Sequence, residues 1–149
     1  MRIKTYIATA MLAAMTAANA TAKSEMVPKM YMFGFAASFN DSIVHFTDII
    51  DVDSVWIDSK TKFLMGRAFY SNQLRDYLSS CLMDNRTCVV LFDKKRSKLE
   101  KRLLKMRKRY NSKKNNRGYD VRTIEAADFR FKSVFANYDN DMEGGFDDE

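Results

Sequence analysis

Few side chains in this chain have the types and spacing that chemistry needs. Cys81 and Cys88 are its two cysteines. In an oxidising compartment they could form a disulfide. Cys81 falls near a predicted helix end and Cys88 at a predicted strand start, across a tight turn, so Cα atoms within about 7 Å are feasible. Such a bridge would close a short loop and stabilise the fold by ~2–3 kcal/mol on the chain-entropy view. The alternative is two buried free thiols, because both residues also sit on apolar faces. The spacing is not Cys-x-x-Cys, which argues against a redox motif. His45 is the single histidine, and Asp48 lies close to it in sequence. The pair suggests acid–base work. An odd separation, however, puts them on opposite faces of a regular strand. No nucleophile and base can be paired from the sequence, so no catalytic residue is assigned. A small enzyme with a site near His45, Asp48 and the Trp56 loop remains the rival reading.

Asp48, Asp51, Asp53 and Asp58 form a loose carboxylate group, and hard cations such as Ca²⁺ favour such oxygens. The spacing does not follow an EF-hand, since no Gly marks the turn and no Glu closes the loop. Ordinary polar loop residues are the plainer explanation. There is no phosphate-cradling Gly loop, no zinc ligand set and no Gly-x-Ser-x-Gly elbow, so neither a metal nor a cofactor is expected.

Charge gives the strongest binding signal. Basic residues crowd between Lys94 and Arg117, where Glu100 is the single acid. On a helix many of them must point outward, and like charges at helical neighbour spacing repel by a few tenths of a kcal/mol each. Lys98, Lys101, Arg102, Lys105, Lys108 and Arg109 are the candidate anion-binding residues. Nucleic acid is disfavoured, because the basic face has little aromatic interleaving and no known motif. An anionic lipid, lipopolysaccharide phosphates or an acidic glycan fit better, each Lys or Arg near an anionic membrane being worth ~1 kcal/mol. The helix lacks the large aromatic anchors of an inserting helix, so Leu99, Leu103 and Met106 are expected in the core. A third partner is the chain's own acidic tail, Asp139, Asp141, Glu143, Asp147, Asp148 and Glu149, in cis or in a dimer. If the tail masks the helix, cutting it away should strengthen anion binding at low salt. The plain alternative is a solvated face that binds nothing.

The elements that must position these groups follow from periodicity. Met30 to Phe39 reads as a strand with Tyr31, Phe33, Phe35, Ala37 and Phe39 on one face. The turn Asn40-Asp41-Ser42 leads into a second strand, Ile43 to Ile50, giving a hairpin. Gly34 marks a bulge or a close backbone contact. Val55–Ile57 and Phe63–Met65 suggest a short second hairpin. Ser71 is a candidate N-cap, followed by an apolar stripe of Leu74, Tyr77, Leu78, Cys81 and Leu82. Thr87 to Phe92 reads as a buried central strand. A long helix then runs from Lys94 to about Lys114, with Leu99, Leu103, Met106 and Tyr110 on one line, and Asn115 to Gly118 stops it. Tyr119 to Ile124 is a further strand, and Phe129–Phe131 suggests a last short one. The order β-β-(β)-α-β-α-β predicts an α+β fold: a two-layer sandwich with a mixed sheet of about four to five strands and two helices. The long helix should link parallel strands.

The domain limits expected are a leader over 1–22, a linker over 23–29, one α+β domain over 30–136 and an acidic disordered tail over 137–149. Arg2 and Lys4, an uncharged stretch from Tyr6 to Ala18, and small residues at Ala18, Ala20 and Ala22 form the pattern of a Sec-type signal peptide cleaved after Ala20 or Ala22. The apolar stretch is short of the ~20 residues that span a bilayer. A periplasmic or secreted product with no membrane span follows as the expectation. Losing Arg2 and Lys4 takes the formal charge from +6 to +4.

Met32 to Ser42 (MFGFAASFNDS), Phe46-Thr47-Asp48-Ile49, Val52-Asp53-Ser54, Gln73-Leu74-Arg75 and Arg86-Thr87-Cys88 form a pattern that resembles a group of short exported proteins of Bacteroidales-type gut bacteria. The likeness covers most of the mature chain and stops before Asn137. It implies export and a single small domain, and carries no assigned activity, ligand or catalytic residue. The functional expectation is an exported, non-enzymatic binding module of the cell envelope. A structural or assembly protein, pairing with another chain through the Tyr31–Phe39 strand at a sheet edge, is the third class.

Overall fold

The computed structural model describes residues 23–114 and 118–135. The expected leader, the helix stop at Asn115–Arg117 and the acidic tail lie outside the described residues. The chain forms β1 (Ser24–Ala37), β2 (Ile43–Thr47), β3 (Ile50–Asp58), α1 (Arg67–Ser80), β4 (Thr87–Asp93), α2 (Arg96–Asn111) and β5 (Asp120–Ile124). This is an α+β fold with one mixed sheet and two helices.

β1 lies in the middle of the sheet. One of its edges carries β2, with Phe35 opposite Phe46, and then β3, with Met32 opposite Ile50. Its other edge carries β4, with Gly34 opposite Val90. β5 runs parallel to β2, Val44 facing Val121. β4 and β5 therefore run in the same direction, with β1 and β2 between them, and α2 connects them. Tyr31 to Ala37 of the expected Tyr31–Phe39 edge strand is thus interior to the sheet and offers no free edge for another chain. Edges that face no strand among the described residues belong to β3, β4 and β5, and to β1 before Tyr31.

The expected second strand is broken in two. Between the pairs Met32/Ile50 and Phe35/Phe46, Phe33 and Gly34 of β1 face Thr47, Asp48 and Ile49. The extra residue makes a bulge. The Gly34 amide donates to Thr47 Oγ1 at 2.8 Å, and the Thr47 hydroxyl donates to the Asp48 carbonyl at 2.8 Å. A side chain thus replaces the missing ladder bond. β3 then continues through the polar stretch Asp51–Ser54 and ends in a single bridge, Ile57 to Leu64, where a second hairpin was expected.

Residues 24–29 are not a linker. They pair with β3 from Ser24/Asp58 to Lys29/Asp53 and bury Val27. Pro28 has no N–H to donate to a ladder. The ladder skips it: Val27 and Lys29 pair on either side, and Ser54 opposite takes φ 54°.

The two-layer expectation is corrected to three layers. Met30, Met32 and Ala36 of β1 pack in one cluster with Tyr70, Leu74 and Leu78 of α1. Phe33 packs with Val44, Phe46 and Leu99 of α2, bordered by Tyr31 and Phe35. Alternate residues of a strand face opposite ways, so the helices cover opposite faces. Phe39 lies beyond the strand and is exposed, and Leu104 is exposed as well.

α1 begins after Gly66, at φ 66°, a turn earlier than Ser71, and this adds Tyr70 to the stripe of Leu74 and Leu78. Phe129 and Phe131 form no strand. They are buried against α1, their rings edge-on at 4.9 Å. Gln73 holds this segment as a strand would: its amide donates to the Lys132 carbonyl and accepts from the Lys132 N–H, both at 2.9 Å.

Cys81 and Cys88 do not form the bridge. Both are free: Cys81 is exposed at the end of α1, and Cys88 is buried beneath that helix. Burial also pushes the Cys88 thiol up. A thiol reagent should label Cys81 in the folded protein and reach Cys88 only on unfolding, because thiolate access controls the rate. Simultaneous labelling of both, or of neither after denaturation, would contradict this placement.

Candidate functional site

α2 is anchored by Leu99, with Leu103, Met106 and Tyr110 half-buried beside it. Its cations divide by their angle around the axis. Arg107 turns toward β5, lying 5.6 Å from the Phe46 ring centroid and contacting the Thr123 hydroxyl. Arg96 pairs with Glu100 at 3.0 Å. These two are structural. Lys98, Lys101, Arg102, Lys105, Lys108 and Arg109 are exposed, as expected. No described carboxylate pairs with Lys98, Lys101, Arg102, Lys105 or Lys108.

The six do not converge on one point. Lys105, Lys108 and Arg109 meet with Ser112 and Lys114 around a recess of about 390 Å³ at the helix C-terminal end. Cations there also complement the helix dipole, worth ~0.3–1 kcal/mol each. Arg102 and Lys98 line two other cavities beside β4, and Lys101 stands on the outer surface. Sequence reasoning missed Lys62 and Arg67, which join those cavities. They are isolated cations in the sequence, and only the sheet order brings them to the helix.

Next to the recess, Tyr110 turns inward. It packs on Phe35 at 5.1 Å and on Tyr119 at 5.0 Å between centroids. These three rings line a cavity of about 530 Å³ whose rim includes Asp41, Ser42 and Thr87. Asp41 is spoken for. Its carboxylate accepts the Ile43 N–H at 2.9 Å and the buried Arg86 guanidinium at 2.7 Å. These contacts hold its carboxyl below the usual range, the Ile43 hydrogen bond most of all.

The acid–base candidates do not come together. His45 faces the α1 side of the sheet, 3% exposed, and neither ring nitrogen has a partner among the described residues. Burial, with Arg86 and Arg122 nearby, pushes its pKa down. Asp48 instead accepts the Ala126 N–H at 3.0 Å, and its own N–H donates to the Ile124 carbonyl. Trp56 pairs with Met26 on β3. The carboxylate group also disperses. Asp51 takes Arg130 at 3.0 Å and Lys29 at 3.8 Å, and Asp58 caps its own turn through the Lys60 and Thr61 amides. Among the described residues no three His, Cys, Asp or Glu side chains gather as metal ligands, and no helix is long and apolar enough to cross a membrane. Comparison with protein-family models, with curated proteins and with solved structures found no match.

Proposed function

We propose that this protein is an exported, non-enzymatic binding module of the cell envelope that contacts anionic surfaces through the outer face of α2. The observation that carries the reading is a rigid helix, seated on the sheet by Leu99, whose outward Lys and Arg residues outnumber the described acids near them. A basic surface held at fixed spacing concentrates anionic head groups or glycans by long-range attraction, and loses them as salt screens it. The leader-like pattern of residues 1–22 supports the placement in the envelope, where phosphorylated lipids and acidic glycans are the available anions. The aromatic cavity beside Tyr110 would add an apolar contact next to the charge.

Retention on vesicles of anionic phospholipid, followed across a salt series, tests this. The protein should be retained at low salt and released as salt rises. Replacing Lys101, Lys105, Lys108 and Arg109 together by Gln should remove ~1 kcal/mol per residue at low salt and flatten the salt dependence. Unchanged retention by that variant, or equal retention on neutral vesicles, would sink the proposal.

A further inference from the structure

α2 leaves part of its own sheet face bare. It packs through Leu99, Leu103, Met106 and Tyr110 on the cluster around Phe33, Val44 and Phe46. Thr87, Val89 and Leu91 of β4 stand opposite Ala37, Phe35 and Phe33 of β1. Directly opposed residues point the same way, so this row belongs to the face that carries α2. Val89 is nevertheless 37% exposed. The row is the floor of a groove between α2 and β4. One cavity of about 530 Å³ runs from Val89 and Phe35 to Tyr110, Tyr119 and the exposed Phe39. Another of about 510 Å³ runs from the same Val89 and Phe35 to Leu91, Met106 and Phe63. Sharing two residues, the cavities adjoin. Each has the size and the apolar, aromatic lining of a small-molecule site.

Charge gives the groove a direction. The rim at the Tyr110 end carries Asp41, already held by Arg86. The cavity at the other end has no carboxylate in its lining and three cations, Lys62, Arg67 and Arg102. Two of these are engaged: Lys62 pairs with Glu25 at 3.0 Å, and Arg67 donates to the Val90 carbonyl at 3.1 Å. Arg102 is exposed and pairs with no carboxylate among the described residues. Lys98, one turn earlier on the same side of α2, is exposed too and lines the next cavity along.

An apolar floor that ends at an uncommitted guanidinium complements a single-chain anionic amphiphile. From Leu91 to Thr87 the floor is ~14 Å long and one row of side chains wide, which suits one extended hydrocarbon chain. The planar fork of Arg102 suits a carboxylate, and Asp41 repels one from the opposite end.

We propose that the groove between α2 and β4 binds a free fatty acid, with its acyl chain over Val89 and Phe35 and its carboxylate on Arg102. The proposal rests on the reading of α2 as an anion-contacting helix, and narrows it from a surface to one amphiphilic molecule that needs no membrane.

Calorimetric titration of the full chain with dodecanoate, below its micelle concentration and without vesicles, tests it. Binding should saturate at one molecule per chain. It should be about tenfold or more tighter than binding of dodecyltrimethylammonium, which has the same chain and the opposite charge. Arg102→Gln should weaken dodecanoate about tenfold and leave the cationic amphiphile unchanged. Val89→Trp fills the junction of the two cavities from an exposed position and should abolish dodecanoate binding without lowering the thermal midpoint. The variant with Lys101, Lys105, Lys108 and Arg109 changed to Gln should bind dodecanoate like the native chain, so loss of vesicle retention and loss of fatty-acid binding are separate results. Absence of saturable binding, equal affinity for the two amphiphiles, or native affinity in Arg102→Gln would each overturn the proposal. Arg102 is exposed, so its replacement keeps the test decisive even where Val89→Trp fails to fold.

Discussion

Gly34→Ala is expected to destabilise the domain by about 1–3 kcal/mol, the usual cost of overpacking a filled core. A Cβ at Gly34 would stand 2.5 Å from Leu74 Cδ2 and 3.2 Å from both Thr47 Cγ2 and Phe131 Cζ. Leu74, Thr47 and Phe131 are all buried, so none can swing into solvent. The new methyl must push α1 off β1 or displace the Phe131 segment. Thr47→Val tests the other half of the same arrangement. It keeps the volume but leaves the Gly34 N–H without its 2.8 Å acceptor, which costs about 1–3 kcal/mol for a buried donor. The two changes share contacts, so their effects should not add. Urea unfolding followed by the fluorescence of Trp56 measures both. A wild-type midpoint for Gly34→Ala would mean that helix and strand are not in tight contact there.

The second large effect is acid sensitivity set by His45. Its pKa is lowered in the folded protein, from an ordinary 6.5, by burial first and then by Arg86 and Arg122; Asp41 and Asp120 oppose the shift weakly. The unfolded chain therefore binds the proton more readily. Linkage makes stability rise with pH wherever the unfolded state holds more protons. Stability present above about pH 6.5 is lost as the pH falls from there toward the lowered folded-state value. Glu25, Asp41, Asp51 and Asp58 have lowered pKa values that begin below 4.5 or 3.8, so their contributions are lost at lower pH. Between pH 7 and pH 5 the thermal midpoint of the native protein should drop, and that of His45→Leu should stay nearly flat. His45→Leu also removes two unpaired buried nitrogens, so it should equal or exceed the native protein in stability at pH 5. Parallel pH profiles for the two proteins would refute the assignment.

Most elements were legible because their apolar residues recur at a clean period. Leu74 and Leu78 mark α1, and Leu99, Leu103, Met106 and Tyr110 mark α2. The layering was not legible. MYMFGFAA is apolar at nearly every position, as befits a strand buried on both faces, yet its aromatic members invite attention to one face alone. Met30, Met32 and Ala36 are the overlooked half, and they receive α1. Polar residues hid the ends of β1 and β3, because Lys29, Asp51 and Asp53 point outward while their backbones pair. The basic helix could be read from charge density. The two cavities beside β4 could not, since Lys62, Arg67 and β4 meet only through a strand order that no local pattern encodes. The cysteine spacing allowed a bridge, but a buried strand residue and a solvent-facing helix end point in different directions.

The central position of β1 has a consequence for a chain that is still incomplete. β1, β2 and β3 can pair as soon as residue 58 is present, since their partners are close in sequence. β4 and β5 arrive much later, and Ile43 meets Asp120 across 120 − 43 = 77 positions. Closing so wide a loop is slow and must precede the contacts that reward it. Until then β1, with β2 and β3 in series along one side of it, holds its other edge open and both apolar faces uncovered, a state that sticks to its neighbours. The stretch of synthesis between residues 58 and 124 is therefore the period in which this protein most needs shielding.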